Sequence, residues 1–138
     1  MKKIILLLLI GLYAFADIAQ VKTIKGDVKS KRAYDVTQLE VGDTLNNGDI
    51  IITGQDSSIG IIFNDGSRLT LGSKSRIVLE KYIFMPKEFK YQFELNMSKG
   101  KAMFESGEVG KYDPKSFKFK VPSGIIGIRG TKFYVEVE

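Results

Sequence analysis

Tyr91-Gln92-Phe93-Glu94-Leu95-Asn96-Met97-Ser98 alternates apolar and polar side chains without a break. Successive side chains of an extended chain point to opposite faces, so the stretch predicts a half-buried β-strand. The same alternation recurs further along. Phe117, Phe119 and Val121 alternate with Ser116, Lys118 and Lys120, and Phe133, Val135 and Val137 alternate with Tyr134, Glu136 and Glu138. Ile59, Ile61 and Phe63 supply a fourth apolar face. Further strands are expected at Ile18 to Lys25, Ile50 to Thr53, Arg68 to Leu71, Ser75 to Tyr82 and Lys101 to Phe104. No segment of the mature chain sustains a helical apolar stripe over three turns, and Pro86 opposes a regular strand through Lys81 to Glu88. The pattern predicts an all-β fold: a single compact domain of many short strands, arranged as a sandwich or a small solenoid.

Turn residues punctuate these strands. Asn64-Asp65-Gly66-Ser67 lies between two β-rich runs, and Asp-Gly in that place predicts a type I′ hairpin with both central residues at positive φ. Gly66, Gly127 and Gly130 are expected at positive φ or at close backbone approaches. Arg129 sits among small turn residues, where its fork of donors suits loop carbonyls or a carboxylate. Thr131 is expected to order the same turn through its hydroxyl. Asp65, Gly66, Gly127, Arg129, Gly130 and Thr131 thus form the structural motif. Arg129, facing an anionic group, and Tyr134 are the candidates for contact with a partner. If Lys132 to Glu138 forms a sheet edge, its free N–H and C=O groups can accept a partner strand, with Lys118 and Lys120 guarding an adjacent edge.

The first residues read differently. Lys2 and Lys3 precede an apolar run from Ile4 to Leu12, broken only by Gly11, and Ala14-Phe15-Ala16 follows as a small-x-small cleavage pattern. That order predicts a signal peptide over residues 1–16 and a mature domain over 17–138. Ile4 to Ala16 is 13 residues, short of the roughly 20 that a spanning helix needs. No membrane span is expected once the leader is removed, and the location predicted is the periplasm of a bacterial envelope. The mature chain carries nineteen basic and sixteen acidic residues, a net +3, mixed along its length. No like-charged block suggests nucleic acid. The chain has no cysteine, which excludes disulfides and a lipid-modified cysteine.

The chemistry is bounded by what is missing. Without histidine or cysteine there is no Ser-His-Asp triad, no thiol nucleophile and no soft metal site. Ser30-Lys31-Arg32 and Ser73-Lys74 lack the spacing of a Ser-x-x-Lys nucleophile. Asp43, Asp49, Asp56 and Asp65 are expected to bond nearby backbone N–H groups in turns, and their spacing matches no 12-residue calcium loop. Gly124 to Gly130 lacks the Gly-Lys-Ser/Thr ending of a phosphate loop. No catalytic residue, cofactor or metal is predicted, and the chain is read as non-catalytic.

Several segments taken in order resemble the FecR domain. They are Gly26-Asp27-Val28, Leu39-Glu40-Val41-Gly42-Asp43-Thr44-Leu45 and Gly48-Asp49-Ile50-Ile51-Ile52-Thr53-Gly54, followed by Ser57-Ser58. Then come Phe63-Asn64-Asp65-Gly66-Ser67, Leu71-Gly72-Ser73-Lys74-Ser75, Lys99-Gly100-Lys101 and Phe119-Lys120-Val121-Pro122-Ser123-Gly124. Gly127-Ile128-Arg129-Gly130-Thr131-Lys132-Phe133 closes the series, and its Arg-Gly-Thr-x-Phe is the sharpest element. The resemblance implies an all-β periplasmic domain that, in the regulators naming the family, receives a signal from a TonB-dependent outer-membrane receptor and passes it to a sigma factor. With no cytoplasmic segment expected before the leader and no spanning helix expected after it, the chain is similar rather to stand-alone exported members. The expected function is a protein-interaction or scaffold module in envelope signalling or assembly. Its partner would be another envelope protein, such as a receptor signalling domain. The alternative is a module that binds cell-wall glycan or a small ligand on Tyr82, Tyr91 and Tyr112.

Overall fold

The computed structural model describes residues 17–128 and 132–138. Among these, one curled sheet of twelve strands encloses the core. Seven strands come first: β1 (Ala19–Lys25), β2 (Val28–Arg32), β3 (Asp35–Gln38), β4 (Thr44–Leu45), β5 (Ile50–Thr53), β6 (Ser58–Phe63) and β7 (Arg68–Leu71). Two long strands follow, β8 (Arg76–Met85) and β9 (Lys90–Glu105), and then the short helix α1 (Glu108–Tyr112). β10 (Phe117–Val121), β11 (Gly124–Ile126) and β12 (Lys132–Val137) complete the sheet. The leader predicted over residues 1–16 lies outside the described residues. Among the described residues no helix is long and apolar enough to cross a membrane.

β9 is the spine. Along one side, its first ten residues pair with β8 and Ala102–Glu105 pair with β7. Along the other, Phe93–Asn96 run parallel to β10 and Gly100–Glu105 antiparallel to β12. The first half of the sheet therefore reads β3-β2-β5-β8-β9-β10-β11, and the second reads β4-β1-β6-β7-β9-β12. The halves meet where β7 gives way to β8. There Ser75 N–H donates to Thr53 Oγ1 at 2.8 Å, Thr53 Oγ1–H donates to Gly72 O at 2.6 Å, and Lys101 N–H donates to Ser75 Oγ at 3.0 Å. Gly100 crosses this bend at φ +104, and a Cβ on it would overlap Ser75 Cα. Only glycine meets both conditions.

The alternating positions fill the core. Ile59, Ile61 and Phe63 of β6, Leu69 and Leu71 of β7, and Phe93, Leu95 and Met97 of β9 are all buried. Seven aromatic rings join the two halves. Phe93 lies 4.7 Å from Phe63 and 4.8 Å from Tyr82, and Phe104 lies 4.5 Å from Phe117, centroid to centroid. Phe133 of β12 reaches Phe119 at 5.4 Å, edge to face. Such pairs add about 0.5–1.5 kcal/mol each beyond the area they bury.

Four expectations need correction. Tyr91 to Ser98 and Lys101 to Phe104 belong to one strand, because β9 runs on through Gly100 with a bulge at Ser98 instead of a turn. β2 and β3 are strands without an apolar signal: β3 is exposed throughout, as a sheet edge permits. Lys118 and Lys120 do not guard an edge, since β10 is paired on both sides; Lys120 instead bonds Glu80 at 2.9 Å. The Asp65-Gly66 turn is not type I′. Gly66 N–H donates to Phe63 O at 2.9 Å and Phe63 N–H to Ser67 O at 2.8 Å. Asn64 and Asp65 are absent from the residues at positive φ, whereas Gly66 stands at +86°. This is a three-residue loop: a type I turn followed by a left-handed glycine that forms a bulge.

Candidate functional site

Asp65 leaves that loop pointing inward and is buried. Its Oδ1 accepts Ser67 N–H at 3.2 Å and Tyr82 O–H at 3.0 Å. Its Oδ2 accepts Ser67 Oγ–H at 2.7 Å and Val109 N–H at 3.0 Å. A carboxylate has about four lone-pair sites, and all are taken. The backbone joins in: Asp65 N–H donates to Tyr82 Oη at 2.8 Å, and Glu108 N–H donates to Asp65 O at 2.9 Å. Ser67 Oγ also accepts Gly107 N–H at 2.8 Å. One side chain therefore ties the β6–β7 loop to β8 and to the start of α1. Burial, and then the Asp65 charge, push the Tyr82 phenol well above its ordinary 10.0. It stays protonated and donating at any physiological pH. Saturated on every lone pair, this cluster is suited to structure and has no free group for proton transfer.

Asp43 and Asp49 lie six residues apart in turns of one design. Asp43 N–H donates to Glu40 O at 3.1 Å, and Asp43 Oδ2 accepts Glu40 N–H at 2.8 Å. Asp49 N–H donates to Asn46 O at 3.2 Å, and Asp49 Oδ2 accepts Asn46 N–H at 2.8 Å. Both carboxylates bond backbone, as turn aspartates do. Asp49 is fully buried, and Arg32 of β2 clamps it with two bonds of 2.8 Å. The bonded carboxylate raises the Arg32 pKa above its ordinary value. Bidentate geometry of this kind fixes orientation as well as charge. Among the described residues, no three acidic side chains come together as metal ligands would.

The surface beside β12 is different. β12 pairs with β9 on one edge, and among the described residues its other edge has no strand. Tyr134, opposite Met103 of β9, is 74% exposed. It lines a groove of about 430 Å³ with Thr70, Gly72, Met103 and Val135, floored where Gly72 lacks a side chain. Of the tyrosines weighed for a ligand platform, Tyr82 is buried and bonded to Asp65, while Tyr91 and Tyr112 stack on each other at 6.1 Å.

Three residues of the structural motif read from the sequence, Asp65, Gly66 and Gly127, are among the described residues. Asp65 and Gly66 share one loop, and Tyr134 lies on the second half of the sheet. Gly127 has no positive φ and nothing within 4 Å of a Cβ built on it, so neither reason given for a glycine applies there. Arg129, Gly130 and Thr131 lie outside the described residues. Sequence reasoning missed Tyr82, Ser67 and Arg32, whose roles depend on partners 17, 2 and 17 positions away in the chain.

The model of the family described as FecR protein matches residues 49–138, from the buried Asp49 through β12. The chain belongs to the FecR family. That family is one of signalling-related periplasmic regulators acting with partner proteins. β1 to β4 precede the matched residues, although β1 and β4 lie in the same sheet half as β6 and β7. No curated protein and no solved structure matches the chain.

Proposed function

We propose that this FecR-family chain is a non-catalytic interaction module of the periplasm, exported by its leader, that docks an extended segment of another envelope protein along β12. The observation that supports this reading is the outer edge of β12, unpaired among the described residues, with the Tyr134 groove on the adjoining sheet face over β7, β9 and β12. An edge strand offers a row of backbone donors and acceptors, so an added strand gains affinity from main-chain bonds. A flanking groove then selects its side chains. Lys101 and Glu136 line the groove 3.9 Å apart, and Lys132 lies 5.6 Å from the Tyr134 ring, so the surface favours a partner of mixed charge over a uniformly acidic one.

The test is a photo-crosslinking amino acid placed at Tyr134 in the full chain, expressed in cells, with the same residue at Tyr34 as control. Tyr34 is 98% exposed at the β2–β3 turn, far from β12. Adducts to one envelope protein at position 134 alone, mapped by mass spectrometry to an extended segment, support the reading. Equal adducts at both positions, or none at 134, overturn it.

A further inference from the structure

The end of β9 opposite β12 carries a feature that interaction along β12 leaves unexplained. β8 and β9 join through Pro86–Glu88, a single 3-10 turn closed by Phe89 at φ +53, ψ +36. Left-handed backbone costs a residue with a side chain roughly 1–2 kcal/mol, and it is least expected of a bulky one. The other described non-glycine residues at positive φ are Ala33, Asp56 and Lys74, all small or polar. Beyond the bond from its N–H to Pro86 O that closes the turn, Phe89 gives little back to the fold, for the residue is 86% exposed. Beside it Met85 is 46% exposed. Behind them Phe84 and Tyr91 pack on the core, 6.0 Å apart, and Tyr112 of α1 stacks on Tyr91, 61% exposed. The result is an exposed apolar tip on a base of packed aromatic rings.

Charge surrounds the tip unevenly. Residues 84–91 and 111–115 hold the lysines 87, 90, 111 and 115 against Glu88 and Asp113, and Glu88 already faces Lys90 at 3.7 Å. All four lysines are exposed. An apolar projection ringed by lysines is complementary to a soft surface whose outer layer is anionic and whose interior is apolar. Aromatic rings favour the interface between the two, while lysine stems lie along it with their charges among the headgroups. A partner protein's pocket would call for a matching cavity instead of a basic collar. We propose that the β8–β9 tip is an interfacial anchor that seats Phe89 and Met85 in an anionic phospholipid surface, with Lys87, Lys90, Lys111 and Lys115 at its headgroups. The anchor is independent of strand docking at β12, and either can fail without the other.

The chain has no tryptophan, so Phe89→Trp installs one fluorophore at the tip and reports that site alone, whatever the first sixteen residues do. Tyr34→Trp is the control. With vesicles of phosphatidylethanolamine and phosphatidylglycerol, emission from position 89 is expected to shift to the blue and to be quenched by lipids brominated high on the acyl chain. Emission from position 34 is expected to stay that of a water-exposed indole. Replacing Lys87 and Lys90 together by Gln should weaken the response roughly thirtyfold, at about fivefold per surface lysine. Four results overturn the proposal: no shift at position 89, equal shifts at both positions, an equal response to pure phosphatidylcholine, or a shift produced by purified peptidoglycan and not by vesicles.

Discussion

The loops before β7 and after β8 are of opposite character. The loop before β7, Asn64-Asp65-Gly66, turns its carboxylate inward and satisfies both carboxylate oxygens with Tyr82, Ser67 and the start of α1. The loop after β8, Pro86 to Phe89, turns its apolar side chains outward and closes on a strained phenylalanine. Each inverts the usual placement of polar and apolar groups. The inversion at Asp65 is compensated by hydrogen bonds inside the fold, so its meaning is structural. The inversion at Phe89 has no compensation inside the fold, which directs attention to something outside it.

The sharpest way to break this contrast is Asp65→Ala. It orphans the Tyr82 hydroxyl, the Ser67 hydroxyl and the Val109 N–H, each buried. At about 1–3 kcal/mol per orphaned donor, partly relieved by relaxation, the loss is expected at roughly 3–5 kcal/mol in urea unfolding. Tyr82→Phe removes one oxygen from the same cluster and should cost less, about 1–3 kcal/mol. Because the two share a hydrogen bond, the double variant should fall short of their sum. Additive losses would mean that the carboxylate and the phenol are not coupled in solution.

The two loops were not equally legible. Strand alternation exposed β6, β9, β10 and β12, since each buries one face and shows the other to water. β2 and β3 gave no such signal: β3 is exposed throughout at the sheet edge, and β2, between β3 and β5, buries only Val28 and Ser30, set among charged residues. Asp65-Gly66 announced a turn, but its type depended on the chain taking Asn64 into the loop. The burial of Asp65 depended on Tyr82 and Val109, 17 and 44 residues away. Local pattern holds no record of such pairings. Phe89 was hidden for another reason: an exposed aromatic beside Pro86 looks the same in sequence as one awaiting burial.

Phe89→Asn sharpens the contrast from the other side. Asn accepts left-handed backbone with little strain, and an 86% exposed ring forfeits little burial when removed. The variant is expected to be more stable than the parent by about 0.5–1 kcal/mol in the same urea titration. A loss of stability would show that the tip is packed as the Asp65 loop is, and the distinction between the two loops would collapse.

Midway along β8, Glu80 offers the smallest effect and a measure of what a solvated charge contributes. It accepts from Asn96 Nδ2 at 2.9 Å and from Lys120 Nζ at 2.9 Å. These bonds, that of Asn96 first, lower its pKa below the ordinary 4.5, while the Glu80 bond raises Lys120 above 10.5. A lowered carboxylate pKa stabilises the fold above the unfolded value, and that contribution disappears as pH falls through the folded one. A raised lysine pKa stabilises below its unfolded value and is lost as pH rises through the folded one. The two contributions coexist only across the neutral range. The stability difference between the parent and Glu80→Gln should therefore be flat around pH 7 and shrink below pH 4.5. It should stay smaller than the Tyr82→Phe effect throughout, because water and salt screen an open pair. A difference that persisted unchanged at pH 3, or exceeded that of Tyr82→Phe, would place this pair with Asp65 among the charges that hold the sheet together.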